Sequence, residues 1–212
     1  MNKRAEERVS RSPQQEAALN EHYRLNHSRT VYRGKVIDLT VDRITTASGM
    51  QAVREVVVHP GGAAVVPVFS NGDVLLVEQF RYPMRQSLLE LPAGRIDPGE
   101  TPEVTAAREL QEEVGFRAGR LEKLVAFYTT PGFCNELLHL FLARDLEPGR
   151  RAGDEDEELS VHRYSPGQLE KLIRSGRIVD AKTLIGLHYL LSIEKHHNLN
   201  IDAQDAQDNQ QG

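Results

Sequence analysis

Between Gly94 and Phe116 the chain reads GRIDPGETPEVTAARELQEEVGF, and within it Glu109, Glu112 and Glu113 fall at spacings of three and four residues. On a helix that spacing places three carboxylates on one face within about one turn. Like charges so close repel, so the arrangement costs helix stability unless a cation binds against it. Hard divalent ions such as Mg2+ take oxygen donors of this kind. A run of glutamates can also be a solvated face, paired here with Arg108 and Lys123. The chemical reading gains force from the residues around it, which must form the element that presents the carboxylates.

That element is a loop followed by a helix. Pro98-Gly99 excludes helix at its own position, and Thr101 or Glu100 then starts one. Pro102 is tolerated in the first turn, alanine, leucine and glutamate follow, and Gly115 supplies a C-terminal stop. Taken together, Gly94, Glu100, Arg108-Glu109, Leu110, Glu112-Glu113, Gly115 and Phe116 resemble the Nudix box, G-x5-E-x7-R-E-U-x-E-E-x-G-U with U an apolar residue, and every fixed position is filled.

The resemblance implies a hydrolase that cuts a diphosphate linkage with water and Mg2+, with Mn2+ as an alternative ion. It assigns Glu109 and Glu113 as the main metal ligands, Glu112 as a supplementary catalytic and metal-binding acid, and the carbonyl of Ala93 as a further ligand. Glu100 and Arg108 take structural roles, the arginine restraining the acids through charge-assisted hydrogen bonds. Metal ligands supply no free base, so another acid is needed near the attacking water. The run Asp154-Glu155-Asp156-Glu157-Glu158, by itself an ordinary solvated loop, lies where the ADP-ribose pyrophosphatase branch carries catalytic glutamates. The resemblance points to Glu155 as general base and to Glu157 as a metal-proximal helper. Pro131, fifteen residues after Phe116, resembles the marker proline of that branch, and REVVVHPGG, QFRYP and ELPAGRIDPGE are similar to it. Arg54, Arg81, Glu136 and Tyr32 carry over as substrate contacts: the arginines to phosphate or ribose, Glu136 to a ribose hydroxyl, and Tyr32 stacking on a base.

The leading function is therefore hydrolysis of ADP-ribose to AMP and ribose 5-phosphate. Alternatives are another nucleoside diphosphate sugar such as GDP-mannose, or a nucleotide-sensing protein that keeps the fold without turnover.

The rest of the chain fits such an enzyme. Its 212 residues allow one ordinary domain with an accessory element. A net charge of -5 leaves no basic footprint for nucleic acid. The one cysteine, Cys134, rules out an internal disulfide and fits a reducing compartment. The amino terminus has no apolar run to serve as signal peptide or anchor, so a cytoplasmic location without membrane attachment is expected.

Residues 1–27 and 198–212 read as polar tails. Residues 28–59 read as a small antiparallel β-unit with a turn at Ser48-Gly49, too poor in apolar residues to stand alone. A homodimer built on that unit is expected, as the resemblance also implies. Residues 60–197 read as the Nudix domain. AAVVPVFS and DVLLVEQF, joined by Asn71-Gly72, predict a hairpin with a type I′ turn. SLLELPAG, LEKLVAFYTT, ELLHLFLAR and LSVHRY predict further strands. Two helices follow, one opening at Ser165-Pro166 and one capped by Asp180, the latter burying Leu184, Ile185, Leu187, His188 and Leu191. The order implies an α/β/α sandwich with a mixed β-sheet, the fold the resemblance also implies.

Overall fold

A computed structural model describes residues 22–150 and 159–193. The chain divides into two compact units.

The first unit holds β1 (Tyr23–Arg33), β2 (Asp38–Thr46) and β3 (Gln51–Val58), an antiparallel sheet in the order β1-β2-β3. Residues 130–135 belong to it as well. The Val57 amide donates to the Phe133 carbonyl at 2.8 Å, and the Asn135 amide donates to the Val57 carbonyl at 3.2 Å. The first strand starts at Tyr23, so residues 23–27 are not tail as expected but pair with β2, Tyr23 opposite Thr46. All eleven residues of β1 are exposed, so no hydrophobic alternation marks the strand in the sequence.

The second unit contains β4 (Gly62–Pro67), β5 (Val74–Arg81), β6 (Gln86–Glu90), β7 (Ala93–Arg95), α1 (Pro102–Val114), β8 (Phe116–Tyr128), β9 (Leu137–Pro148), β10 (Leu159–Tyr164) and α2 (Pro166–Arg174). A further helix, α3, runs over 181–193 among the described residues. The sheet β7-β4-β9-β8 is mixed: β4 runs parallel to β9 and antiparallel to β7. Strands β10-β5-β6 form a separate antiparallel sheet.

Every residue of β4 is buried, which requires cover on both of its faces. Ala63 and Val65, with Phe141 and Val77, pack on Ala106, Leu110 and Val114 of α1. Ala64 and Val66, with Leu140 and Leu76, pack on Leu169 of α2 and Leu187 and Leu190 of α3. The expected sandwich of a mixed sheet between helical layers is the result.

Asn71-Gly72 behaves differently from expectation. Gly72 has φ 83°, but Asn71 is not in the left-handed region, so the turn is not type I′, which needs positive φ at both residues. The Gly72 amide donates to the Phe69 carbonyl, and Asn71 Oδ1 accepts from the Asp73 amide and from Arg163. Beyond the turn only Val68 and Val74 bridge. The flanking strands then join different sheets, because buried β4 takes β7 and β9 as partners while β5 takes β6 and β10.

Helix α3 also turns differently from expectation. Thr183, Gly186, Leu187 and Leu190 form its buried face, while His188 is exposed and Leu184, Ile185 and Leu191 are half-buried. A side chain at Gly186 would meet Leu91 and Val66, which lets the helix approach the sheet more closely than a bulkier residue would allow.

Candidate active site

The acidic face of the chain lies on α1. Thr101 is the N-cap, its Oγ1 accepting from the Val104 amide at 3.4 Å, Pro102 occupies the first turn, and Gly115 closes the helix in the left-handed conformation at φ 77°. Ala106, Leu110 and Val114 recur every fourth residue and clamp the helix to the sheet. Glu109 and Glu113 lie beside that apolar stripe and are therefore drawn inward, with only 8% and 4% of their surface accessible. Glu112, one step around the helix, is half-buried.

Burying carboxylates is costly unless they are paired or hydrogen-bonded, and here they are. Arg108 Nη1 donates to Glu109 Oε1 at 2.6 Å and to Glu112 Oε2 at 3.0 Å. Its Nε and Nη2 reach Glu100 Oε1 and Oε2 at 3.0 and 3.1 Å, and Nη2 also donates to the Arg95 carbonyl at 3.2 Å. One guanidinium thus ties the loop before the helix to two of the three acids. Thr105 Oγ1 donates to Glu100 Oε2 at 2.8 Å. The Arg108 guanidinium, followed by Thr105, lowers the Glu100 carboxyl from an ordinary 4.5 to about 2. Arg108 is pushed well above its usual range, chiefly by Glu100, against some opposition from burial. The Glu100–Arg108 pairing expected as structural is present, and Thr105 is a partner that no sequence pattern singled out.

The third acid is held from the strand side. Glu113 Oε2 accepts from the Ala93 amide at 3.1 Å, at the first residue of β7. The next residue, Gly94, lies directly beneath Glu109. A Cβ there would fall 1.7 Å from Glu109 Oε1 and 2.2 Å from its Cδ. Gly94 is not in the left-handed region. Its requirement is therefore for space beside a carboxylate. Gly99 does adopt the left-handed conformation, at φ 89°.

The donors on α1 are all oxygens and share a face, which fits a hard divalent ion in chemistry. Among the described residues, no three His, Cys, Asp or Glu side chains converge as a complete metal cage. Arg108 instead engages Glu109 and Glu112. Glu155 and Glu157, the other acids expected at the site, lie outside the described residues.

The four expected substrate contacts fall two in each unit. Arg81, at the end of β5, donates through Nε and Nη2 to Glu90 Oε1 and Oε2, each at 2.8 Å. Glu136, just before β9, accepts from Thr129 Oγ1 at 2.7 Å. Arg54 and Tyr32 belong to the other compact unit. Tyr32 is exposed, and Arg54 Nη1 donates to the Val53 carbonyl.

Sequence reasoning missed Glu90, almost wholly buried with 2% of its surface accessible, and its second partner Lys182. Burial alone would push the Glu90 carboxyl up, but Arg81 and Lys182 outweigh it and hold the group ionised, below its usual range. The available signal was a glutamate inside the apolar run Leu88-Leu89-Glu90-Leu91, since a buried acid needs a cationic partner.

A model of the NUDIX domain matches residues 58–184, more than half of the chain. The chain belongs to the Nudix family. It is 43% identical to an ADP-ribose pyrophosphatase of Bacillus subtilis over 76% of this chain and 88% of the relative. It is 38% identical to a methanol dehydrogenase activator of Bacillus methanolicus over the same shares. It is 34% identical to a GDP-mannose pyrophosphatase of Yersinia enterocolitica over 67% of this chain and 79% of that protein. Among solved structures, an ADP compounds hydrolase superposes with a TM-score of 0.75 at 24% identity, covering 83% of this chain and 96% of the other, and supports the fold. The Nudix box thus runs from Gly94 in β7 through the loop and α1 to the first residue of β8, with Glu109 and Glu113 set against β7. No helix among the described residues is long and apolar enough to cross a membrane.

Proposed function

We propose that this Nudix enzyme hydrolyses the diphosphate linkage of ADP-ribose, giving AMP and ribose 5-phosphate, with Mg2+ or Mn2+ as cofactor. The observation that carries the reading is the burial of Glu109 and Glu113 beside the apolar stripe of α1, with Arg108 and the Ala93 amide holding the acids. A merely solvated charge run would leave those carboxylates in water. The ADP-ribose pyrophosphatase relative, at 43% identity, supports the choice of substrate.

Glu109, Glu113, Glu112 and the Ala93 carbonyl would hold the ion. When bound, a divalent ion neutralises phosphoryl oxygens and orients the attacking water. The protein's own part is positional. Arg108 keeps Glu109 and Glu112 on the same side of the helix, and Glu113 is anchored to the backbone of β7. Glu155 takes the proton of the attacking water and Glu157 assists close to the ion. Arg81 contacts the diphosphate, Arg54 contacts phosphate or ribose, Glu136 accepts from a ribose hydroxyl, and Tyr32 stacks on the base.

Incubation with ADP-ribose and Mg2+, followed by chromatography, tests the reading: AMP and ribose 5-phosphate should accumulate together. No AMP above a metal-free control would refute it. The GDP-mannose pyrophosphatase relative favours a second substrate reading. A panel of relative kcat/KM values for ADP-ribose and GDP-mannose separates the two, ADP-ribose being expected to lead.

We also infer a homodimer formed through the β1–β3 unit. Leu25, Val31, Tyr32 and Val53 are exposed on it, and β1 is an edge strand whose surface is uncovered along its whole length. Light scattering should give about twice the 23.8 kDa chain mass, and a monomer mass at micromolar concentration would contradict the inference.

A further inference from the structure

From its sequence context Arg81 is expected to contact substrate. The structure embeds it in a part-buried chain of polar groups running from β5 into α3. Glu90 grips Arg81 in a two-point fork, and Lys182 donates to the same carboxylate from the first turn of α3. Lys182 also pairs with Asp180 at 3.1 Å. Asp180 Oδ2 accepts from the Thr183 amide at 3.0 Å and from its hydroxyl at 2.6 Å. The Thr183 hydroxyl oxygen in turn accepts from the Leu91 amide at 2.8 Å. The N-terminus of α3 therefore holds two consecutive residues, Glu90 by charge and Leu91 by its backbone. Two residues on, the Ala93 amide holds Glu113.

Three features distinguish this from an ordinary structural salt bridge. The guanidinium is asymmetrically placed: its partner Glu90 is buried, yet a third of the Arg81 side chain remains accessible, at 34% against 2%. Nη1 has no hydrogen-bond partner among the described residues, since the contacts to Glu90 use Nε and Nη2. Finally, one carboxylate faces two cations, so the charge of Glu90 is shared between Arg81 and Lys182 and is not spent on the guanidinium alone. A fork fixed along one edge of a guanidinium leaves the opposite edge rigidly presented and able to donate to an anionic oxygen, with little entropy left to lose.

We propose that Glu90 and Lys182 are positioning residues that lock Arg81 so that its free edge receives a phosphate oxygen of the diphosphate substrate. The proposal rests on the pyrophosphatase reading for its ligand. Glu90 acts only through Arg81. Lys182 balances the buried charge, so that the fork persists without drawing the guanidinium inward.

The test uses the full-length protein and a thermodynamic cycle of Arg81→Ala, Glu90→Gln and the double variant. Binding of inorganic pyrophosphate is read by calorimetry in the presence of EDTA, and kcat and KM are read with ADP-ribose and Mg2+. Arg81→Ala should weaken pyrophosphate binding about tenfold or more, the scale of one lost charge-assisted contact. Glu90→Gln should weaken it several-fold, raise KM more than it lowers kcat, and have no further effect once Arg81 is alanine. Lys182→Met, which leaves the fork itself intact, should weaken binding less than Glu90→Gln.

Multiplicative effects in the double variant would overturn the proposal, as would wild-type protein that fails to bind pyrophosphate. A loss confined to melting temperature, with KM unchanged, would show a purely structural pair. If Glu90→Gln does not fold, Glu90→Asp replaces it: the shorter acid should raise KM while leaving the circular dichroism spectrum native, and an unchanged KM would equally overturn the proposal. Failure of wild-type protein to hydrolyse ADP-ribose while the pyrophosphate cycle still couples Arg81 to Glu90 would remove the substrate assignment and leave the positioning role standing.

Discussion

Replacing Gly94 with alanine isolates the packing of Glu109 from every other property of the site. The backbone at Gly94 is outside the left-handed region, so alanine introduces no conformational penalty there. The added methyl would instead lie 1.7 Å from Glu109 Oε1, where ordinary van der Waals contact begins at 3.4 Å, so the carboxylate must retreat by about 1.7 Å or the strand must move. A displacement of about 1 Å at a catalytic constellation can cost about 100-fold in rate, which corresponds to about 2.7 kcal/mol of transition-state stabilisation. Overpacking itself costs about 1–3 kcal/mol of stability, which lowers the melting temperature by about 2–4 °C per kcal/mol in a chain of this size.

The assay measures AMP release from ADP-ribose across a Mg2+ titration. Gly94→Ala should lose at least about 100-fold in kcat and require more Mg2+ for half-maximal rate, while unfolding cooperatively. Gly99→Ala is the matched control. Gly99 has open space around its position and φ 89°, so alanine there should cost about 1–2 kcal/mol of stability with kcat nearly unchanged. A Gly94→Ala enzyme within about threefold of wild type, with unaltered metal dependence, would refute the reasoning that the glycine exists to seat Glu109.

Other predictions follow from the same geometry. Glu113→Gln should reduce kcat by about 100-fold or more and raise the Mg2+ needed for half-maximal rate, because a neutral amide is a poorer ligand for a hard ion; a nucleotide sensor would keep its ligand response. The Glu100 carboxyl is lowered in the fold, from 4.5 to about 2. Its contribution to stability is therefore present above about pH 4.5 and is lost as pH falls toward about 2. A pH series of thermal melts should show that decline in wild type and a shallower one in Glu100→Gln, and identical slopes would contradict the pairing with Arg108. Gly115→Ala, at a left-handed helix cap, should lower the melting temperature by a few degrees through a loss of about 1 kcal/mol, read by calorimetry.

The parts of the molecule governed by local rules were legible in the sequence. Thr101, Pro102 and Gly115 delimit α1 through capping and backbone preferences that involve only near neighbours, and the spacing of Glu109, Glu112 and Glu113 follows from helical periodicity. Interactions set by distant partners were not. The strands flanking Asn71-Gly72 look like a hairpin locally, yet each finds better cover in a different sheet, and no local pattern announces that choice. Lys182 meets Glu90 across 92 positions of sequence, so a buried glutamate could be suspected but its partner could not be named. Strand β1 carries no alternation because none of its residues is buried. Gly94 shows the intermediate case: the need for glycine was readable, but its reason, a carboxylate seated against its Cα, required the position of Glu109.

The central claim is that the acids of α1 gather a divalent ion so that water can cut a phosphoanhydride. Hydrolysis of ADP-ribose in 18O-labelled water with Mg2+, followed by mass spectrometry of the products, tests it most directly. The account predicts one 18O atom in the phosphate of either AMP or ribose 5-phosphate, at a rate abolished by chelation and reduced at least about 100-fold in Glu113→Gln. Unlabelled phosphates, or a rate that ignores both chelation and the loss of Glu113, would contradict it.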